Sequence, residues 1–359
     1  MRGRHGLRGP CRSCRDDVRQ PAVQRHVAGL VCAALVLGRL APGARRSDPR
    51  RRPRRRRTAV AAPNQSASQT NRAWTSGFGF TSSVGADERG PGYRSSGGGG
   101  TVGFDHFFSP TLLGGVALSY SRGETTSLGA RSESDTVSGA VYGAWAPYGG
   151  WELEGLPGID SMQIDTTRVL TFGGVPVVTR GDTNSLGFSA AGNVGYRFRF
   201  AAPGGDAFFK PFAGSSYSSE DRDEYAEFGA FGPGLVFPSK TFERGALNLG
   251  GATGIDLNVG NRWIVRHELR LAWSHYFTDP SPDVPAFLGN MPIVLRDPQP
   301  GRNGAVVGLE VTGYTAGLQV FAGYAGEVPV QSDGPSRAGR IALDMVGRAP
   351  PHTHTPPNT

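Results

Sequence analysis

The sequence predicts an all-β protein: a twelve-stranded antiparallel transmembrane β-barrel that follows a disordered or partly helical N-terminal segment. Three observations predict this fold class. Apolar residues alternate with small or polar residues over membrane-length segments, charged residues in these segments keep to one parity, and the connections alternate in length. In a membrane barrel, alternate side chains face lipid and a wet lumen, so only every second residue needs to be apolar.

The clearest predicted strand is the segment 182–200. Its even-numbered residues from 186 to 200 are apolar or glycine, whereas its odd-numbered residues from 185 to 199 are small or polar. The segment is longer than most globular strands and covers the roughly 9 to 11 tilted residues that cross a bilayer. Two charges, Arg197 and Arg199, share the polar parity. We therefore expect Arg197 and Arg199 to line the lumen.

The segment 261–277 repeats this pattern with more charge. Its odd-numbered residues are mostly large and apolar, whereas Arg266, Glu268 and Arg270 fall on the even parity. We expect these three to line the lumen, because a spanning strand tolerates charges only where they face water. Two interpretations stay open. The residues form a salt-bridged ladder, or they grip a transported segment or a pore helix, since charges in a narrow pore interact more strongly than in bulk water.

A soluble β-sandwich also alternates, but its strands are shorter and its apolar face is turned inwards. The strand lengths and the aromatic residues near strand ends favour the membrane barrel. Alternation and turn residues then predict a barrel over residues 74–346. The approximate bounds of its twelve strands are 74–84, 97–107, 111–123, 134–147, 151–165, 182–200, 207–219, 241–258, 261–277, 303–312, 316–327 and 337–346.

The predicted connections alternate between long and short. They are long after the first, third, fifth, seventh, ninth and eleventh strands, with 220–240 and 278–302 among them, and short after the others. This asymmetry is typical of a barrel with short periplasmic turns and long extracellular loops. An even number of strands returns both ends, Trp74 and Met345, to the periplasmic side. The residues after the barrel, 347–359, are expected to be a disordered tail that contains Pro and His.

The first 60 residues differ from the rest of the chain in charge. They hold 17 of the 38 basic and 3 of the 30 acidic residues, so residues 61–359 carry 21 basic and 27 acidic ones. The net charge of +8 for the whole chain therefore comes from this leader. All three cysteines, Cys11, Cys14 and Cys32, lie in it as well. A remainder without thiols suits export through an oxidising periplasm.

Three interpretations of residues 1–60 stay open. The apolar run 27–38, ahead of Ala41-Pro42-Gly43, is typical of the h-region and cleavage site of a secretory signal. The nine Arg at 45–57 oppose translocation and would instead suit a nucleic-acid-binding arm. In the third interpretation, the segment lies upstream of the true start codon and is included in the sequence by error. We favour this third interpretation, a disordered or mistranslated leader, because the segment does not share the periodicity of the barrel, and we expect no nucleic-acid partner.

Six short motifs follow one another along the predicted barrel. They are RAWTSGFG at 72–79, GFDH at 103–106 with SP at 109–110, GYRFRF at 195–200, KPFAG at 210–214, LAWSH at 271–275 and GYAGE at 323–327. In order and spacing, these motifs resemble the β-domain of the autotransporter family. That domain is the translocator of type V secretion in Gram-negative bacteria. The resemblance covers residues 74–346, about three quarters of the chain.

The resemblance implies an integral barrel of the bacterial outer membrane, with a helix through its pore, that anchors an N-terminal passenger and serves its export to the cell surface. The implied partners are outer-membrane lipid, the barrel-assembly machinery and the protein's own or lost passenger, and we expect a monomer. Residues 61–73 would form the linker or pore helix, in which Asn64 and Asn71 are candidates for cleavage. Only 73 residues precede Trp74, so we expect the passenger to be missing or truncated.

The sequence shows no catalytic motif. It lacks a Gly-x-Ser-x-Gly elbow, a Walker-type phosphate loop and a His-Glu-x-x-His zinc motif, and Cys11-x-x-Cys14 has no second pair. We therefore expect a protein that is not an enzyme and binds no metal and no cofactor. The alternative function is a stand-alone outer-membrane barrel that acts as a narrow pore, or as an adhesion platform through 220–240 and 278–302. An outer-membrane hydrolase is a third hypothesis.

Overall fold

The computed structural model describes eight stretches of the chain, and of the last of them it describes the backbone alone. These stretches are residues 71–147, 149–172, 174–230, 232–260, 263–298, 301–315, 318–330 and 336–348. The predictions for the leader 1–60, for residues 61–70 of the linker and for residues 349–359 of the tail lie outside them. Within these stretches, no helix is long and apolar enough to cross a membrane.

In the described stretches, seventeen strands, all of them antiparallel to their neighbours, make up one sheet. Their alternating sequences place successive side chains on opposite faces of this sheet. Their bounds are β1 Asn71–Val84, β2 Tyr93–Ser109, β3 Leu112–Ser127, β4 Ala130–Trp145, β5 Trp151–Phe172, β6 Val175–Tyr196, β7 Phe198–Ala202, β8 Gly205–Arg222, β9 Tyr225–Gly229, β10 Gly232–Phe237, β11 Lys240–Val259, β12 Trp263–Tyr276, β13 Val284–Leu288, β14 Met291–Leu295, β15 Asn303–Tyr314, β16 Leu318–Pro329 and β17 Ser336–Arg348.

The long strands form a ring. β1 pairs with β2 on one side and with β17 on the other, so the sheet closes on itself. The ring continues through β3, β4, β5, β6, β8, β11, β12, β15 and β16 to β17. The short strand β7 extends β6 along β8. Closure leaves the long strands without a free edge, which an open sheet would expose.

The outer face of the ring is apolar and the inner face is not. On β6, Leu186 and Phe188 are 67% and 48% exposed, whereas Ser185 and Ser189 on the other parity are buried. The strands of a closed sheet curve towards one another on the inner side, where side chains cover one another. The large apolar residues of the outer face stay exposed, as the predicted lipid-facing parity requires.

The prediction of long loops after the third and fifth strands is wrong. β3 and β4 are joined by residues 128–129 alone, and β5 and β6 by residues 173–174 alone. The alternation continues beyond the apolar part of these strands, but charged pairs replace the apolar residues there. Arg122 contacts Glu133 across β3 and β4 at 2.9 Å. Such cross-strand pairs stabilise strands in water, so a polar composition did not mark the end of the strands.

The two longest predicted loops contain hairpins. β9 and β10 lie within 220–240, and β13 and β14 lie within 278–302. β9 also pairs with β6, and β10 pairs with β13, so the hairpins are joined to the wall and to each other. Strands of five or six residues are too short for alternation to distinguish them from apolar loop segments.

Both ends of the ring extend beyond their predicted bounds. β1 begins at Asn71, inside the predicted linker, and β17 ends at Arg348, inside the predicted tail. The pairing of Arg72 with Arg348 places these two ends side by side. They share one rim of the barrel with the short connections 110–111 and 260–262. We call this the short-turn rim, and the opposite rim, which carries the two hairpins, the hairpin rim.

Candidate functional site in the barrel lumen

The lumen has two walls of different chemistry. The inner side chains of β2, β3 and β4 are mostly Gly, Ala, Ser and Thr, and we call this side the hydroxyl wall. Thr101 and Ser119 hydrogen bond across it at 3.0 Å. The inner side chains of β5, β8, β11 and β12 include most of the charges discussed below, and we call this side the charged wall. The inner side chains of the hydroxyl wall are therefore mostly smaller than those of the charged wall.

A buried three-residue ion cluster lies in the charged wall near the short-turn rim. Glu152 of β5 accepts hydrogen bonds from Arg197 at 2.5 and 3.1 Å and from Lys210 of β8 at 3.1 Å. All three side chains are at most 6% exposed. Taking charges out of water is expensive, so the single carboxylate is needed to hold the two cations in place. We call these residues the Glu152 cluster.

A second ion pair lies next to the Glu152 cluster. Arg266 of β12 donates to both carboxylate oxygens of Asp256 on β11, at 2.7 and 2.8 Å. This two-pronged geometry is the strongest that a guanidinium and a carboxylate can adopt. The ring of Phe208 lies 4.2 Å from the Arg197 guanidinium and 5.3 Å from that of Arg266. The aromatic ring therefore connects the two ion groups through cation–π contacts.

The remaining predicted lumen residues are less tightly held. Arg270 lies 3.6 Å from Glu268 on the same strand, and its guanidinium lies 5.1 Å from the Phe212 ring. Arg199 of β7 is exposed near the short-turn rim. Arg197, Arg266, Glu268 and Arg270 therefore come together along the charged wall, whereas Arg199 lies at its edge.

The predicted ladder along β12 is correct for one pair and wrong for the other. Glu268 pairs with Arg270, but Arg266 pairs with Asp256 across the β11–β12 turn. The register between these strands places Val259 opposite Trp263, so three residues make the turn instead of the predicted two. One added turn residue exchanges the residues that face each other across a hairpin. The length of the turn therefore determines which carboxylate forms an ion pair with Arg266.

Sequence reasoning missed Glu152, Lys210 and Asp256. All three lie on the inner parity of predicted strands, and this signal could have found them as lumen residues. No sequence signal could have predicted the contact between Glu152 and Lys210, because the two residues lie on strands separated by β6 in the ring. Contacts of this kind depend on the curvature of the closed sheet.

An apolar and hydrogen-bonded cluster fills the hydroxyl-wall side of the short-turn rim. The indole N–H of Trp74 lies 3.0 Å from Asp105 and 2.7 Å from the hydroxyl of Tyr142, which itself donates to Asp105. Arg72 pairs with the same carboxylate at 2.8 Å. The Trp74 ring lies directly over Gly103 of β2. This rim cluster joins β1, β2 and β4, so it braces the wall close to the β1–β17 closure.

The two asparagines proposed as cleavage candidates have different positions. Asn71 is the first residue of β1, and its side-chain oxygen lies 2.7 Å from Nδ1 of His106 on β2. Asn64 lies outside the described residues. Within the described part of the chain, Asn71 is therefore a strand residue instead of a linker residue, and its role in cleavage stays a prediction.

Comparisons with known proteins address the fold and the family. The model of the Autotransporter beta-domain family matches residues 73–325. A search of curated protein sequences finds no match to the chain.

Three solved structures share the fold. The translocator domain of the autotransporter NalP from Neisseria meningitidis has a TM-score of 0.59 and 14% identity, over 78% of this chain and 88% of that chain. The transport unit of the autotransporter AIDA-I from Escherichia coli has a TM-score of 0.55 and 15% identity, over 80% and 92%. The β-domain of the Bordetella autotransporter BrkA has a TM-score of 0.56 and 16% identity, over 78% and 100%. The antiparallel barrel class is confirmed by these structures, and the predicted family by the family model, which spans more than half of the sequence. The chain belongs to the autotransporter β-domain family.

Proposed function

We propose that this protein is an outer-membrane translocator barrel that serves the export of a segment joined to its N-terminus, and that twelve strands of its ring cross the membrane. One observation carries the proposal: a member of the autotransporter β-domain family has a closed sheet that is apolar outside and charged inside. Such a sheet is solvated by lipid on one face and by water on the other. Its place is in the bacterial outer membrane, as an integral protein.

The segment before β1 is the proposed occupant of the lumen. β1 begins at the short-turn rim, at that mouth of the lumen. Residues 61–70 are short and polar enough to enter there, as a linker or as a helix that is stable only inside a barrel. The proposed passenger would precede them, and Asn64 is the candidate for cleavage that lies in this segment.

The proposed partners follow from this placement. Outer-membrane lipid covers the apolar outer face, and the barrel-assembly machinery inserts the folded ring. We propose a monomer, because the ring is closed by its own β1 and β17 and needs no second chain to complete it. We propose no catalytic role, since a transport unit needs a route and not a reacting group.

Surface display of a reporter tests the proposal. A secretory signal and an epitope-tagged reporter are joined ahead of Ala61, and external protease and antibody access are measured on intact cells. We expect the reporter to reach the surface in proportion to the amount of folded barrel. A reporter that stays in the periplasm while the barrel is folded in the outer membrane would contradict export.

Charge reversal separates the two interpretations of the charged wall. In Arg266→Glu/Arg270→Glu, we expect a smaller amount of folded barrel. The amount of reporter on the surface, divided by the amount of folded barrel, should stay unchanged, because Arg266 is already paired with Asp256. The matched control, Arg122→Glu/Arg131→Glu, reverses two exposed charges on the outer face. A fall in display per folded barrel in the first variant alone would favour a grip on the transported segment.

A stand-alone surface barrel is the second candidate function. It is favoured by apolar side chains that the hairpins expose to solvent, among them Phe228 at 63%, Met291 at 58% and Val294 at 55%. Exposed apolar residues grouped on one sheet are typical of interaction surfaces. The display experiment distinguishes the candidates, because an adhesion platform needs no exported reporter.

A further inference from the structure

The hairpins at the hairpin rim form one connected structure across the mouth of the barrel. β9 pairs with the wall strand β6, β10 pairs with β9, and β13 pairs with β10 and β14. We call β9, β10, β13 and β14 together the cap. The cap therefore joins the connection after β8 to the connection after β12, although β11 and β12 separate these connections in the chain.

The cap has an apolar core of its own, which lies on the lumen side. Leu235 and Phe237 of β10 are fully buried, and Val284 and Ala286 of β13 are at most 2% exposed. These four side chains pack with Phe242, an inner-face residue of β11. Because Phe242 belongs to the lumen face of the wall, the cap covers the lumen instead of lying against the outside of the barrel.

One side of the cap is anchored by a buried ion pair. Nε of Arg168 on β5 lies 3.1 and 3.2 Å from the two carboxylate oxygens of Glu227 on β9, and Thr179 of β6 donates to Glu227 at 2.8 Å. The side chains of Arg168 and Glu227 are 1% and 0% exposed. Breaking a buried pair of this kind is costly, so β9 and β10 stay attached to the wall.

The other side of the cap is held by contacts that reach across the mouth. Arg89, in the β1–β2 connection, pairs with Asp283 next to β13 at 2.7 Å, and Arg296 reaches the same carboxylate at 3.3 Å. In the ring, the strands β15, β16, β17 and β1 lie between the β12–β15 and β1–β2 connections. The contact therefore crosses part of the opening. The side chains of Arg89, Asp283 and Arg296 are 30%, 43% and 58% exposed, so these ion pairs are weak.

We infer that the cap is a gate over the outer mouth, with its hinge side at Arg168 and Glu227 and its latch at Arg89 and Asp283. The ion pair is buried on the hinge side and exposed on the latch side, where Gly90 also packs against the main chain of Arg296, and this difference favours opening at the latch. The gate is shut in this structure, and a segment that passes through the lumen has to open it. The inference does not depend on whether a passenger is exported, because it concerns access to the lumen.

Access to a cysteine beneath the cap tests the gate. Ala246 lies on the inner face of β11, four residues beyond Phe242 and away from the hairpin rim, and is 6% exposed. In the full chain with Cys11, Cys14 and Cys32 replaced by Ser, Ala246→Cys is labelled from outside by a bulky water-soluble maleimide. We expect Asp283→Asn to raise the labelling rate about fivefold, the factor that an exposed ion pair contributes at most to a closed-to-open ratio.

Two further variants make the test decisive. Glu133→Gln removes exposed ion pairs outside the cap and should leave the rate unchanged. Val236→Cys/Phe287→Cys joins directly opposed residues of β10 and β13 inside the cap, and because the cap opens as one unit, this disulfide, formed before labelling, should leave the increase caused by Asp283→Asn in place. Folding is checked by heat-modifiable migration, and Arg89→Gln replaces Asp283→Asn if that variant does not fold. Equal rates in the latch variant and the parent, or loss of the increase when β10 and β13 are joined, would overturn the gate.

Discussion

Glu152→Leu should destabilise the folded barrel by roughly 3–5 kcal/mol, the usual cost of leaving buried charges without a partner. The substitution leaves Arg197 and Lys210 at most 6% exposed with no carboxylate between them. Two cations in one dry site repel each other and have lost the water that would otherwise solvate them. Urea unfolding of the full chain in lipid vesicles, followed by tryptophan fluorescence, measures the loss.

Two control variants define what this loss means. Glu133→Leu also removes a carboxylate with two arginine partners, Arg122 and Arg131, but in solvent, and it should have little effect. The triple variant Glu152→Leu/Arg197→Met/Lys210→Met removes every buried charge of the cluster and should recover most of the lost stability. Equal stability of Glu152→Leu and the parent would show that the cluster is solvated.

Gly103→Val should prevent normal closure of the ring near the short-turn rim, at a cost of about 1–3 kcal/mol or more. A Cβ at Gly103 would lie 2.2 Å from the Trp74 ring, which is 6% exposed and hydrogen bonded to Asp105 and Tyr142. The ring has no room to move without breaking these bonds. Folding yield and the thermal midpoint of heat-modifiable migration measure the effect.

Gly139→Val is the matched control for this steric effect. Gly139 lies in β4, and a Cβ added there meets no atom within 4 Å. The loss of chain entropy is the same in both substitutions, but Gly139 faces outwards, so a difference between the two variants reports the contact with Trp74 together with the inner position of Gly103. If both variants fold equally well, the rim cluster does not brace the closure.

Much of the fold could be predicted because alternation with period two is a local property. The segment 261–277 predicted a strand that the structure places at Trp263–Tyr276, and its inward charges Arg266, Glu268 and Arg270 followed from parity alone. The same reasoning found β6, although it placed the start at 182 instead of Val175. The error arose because Arg180 and Gly181 interrupt the alternation, although β6 continues through them to Val175.

The partners of the site residues could not be predicted, because they depend on register and on curvature. The three-residue turn after β11 places Arg266 opposite Asp256, and the curvature of the closed sheet brings Lys210 into contact with Glu152 across β6. The cap was missed for another reason. Its strands have five or six residues, and its pairing of β10 with β13 joins segments that are about 50 residues apart.

The central claim is that alternate side chains of the long strands face lipid and a hydrated lumen. Single cysteines at adjacent positions test it most directly, in the full chain with Cys11, Cys14 and Cys32 replaced by Ser and inserted in vesicles. Leu118→Cys and Leu271→Cys, when spin-labelled, should be relaxed by oxygen dissolved in lipid, whereas Ser119→Cys and Ala272→Cys should be relaxed by a water-soluble nickel complex. The same response at adjacent positions, or lipid contact at Ser119 and Ala272, would contradict the account.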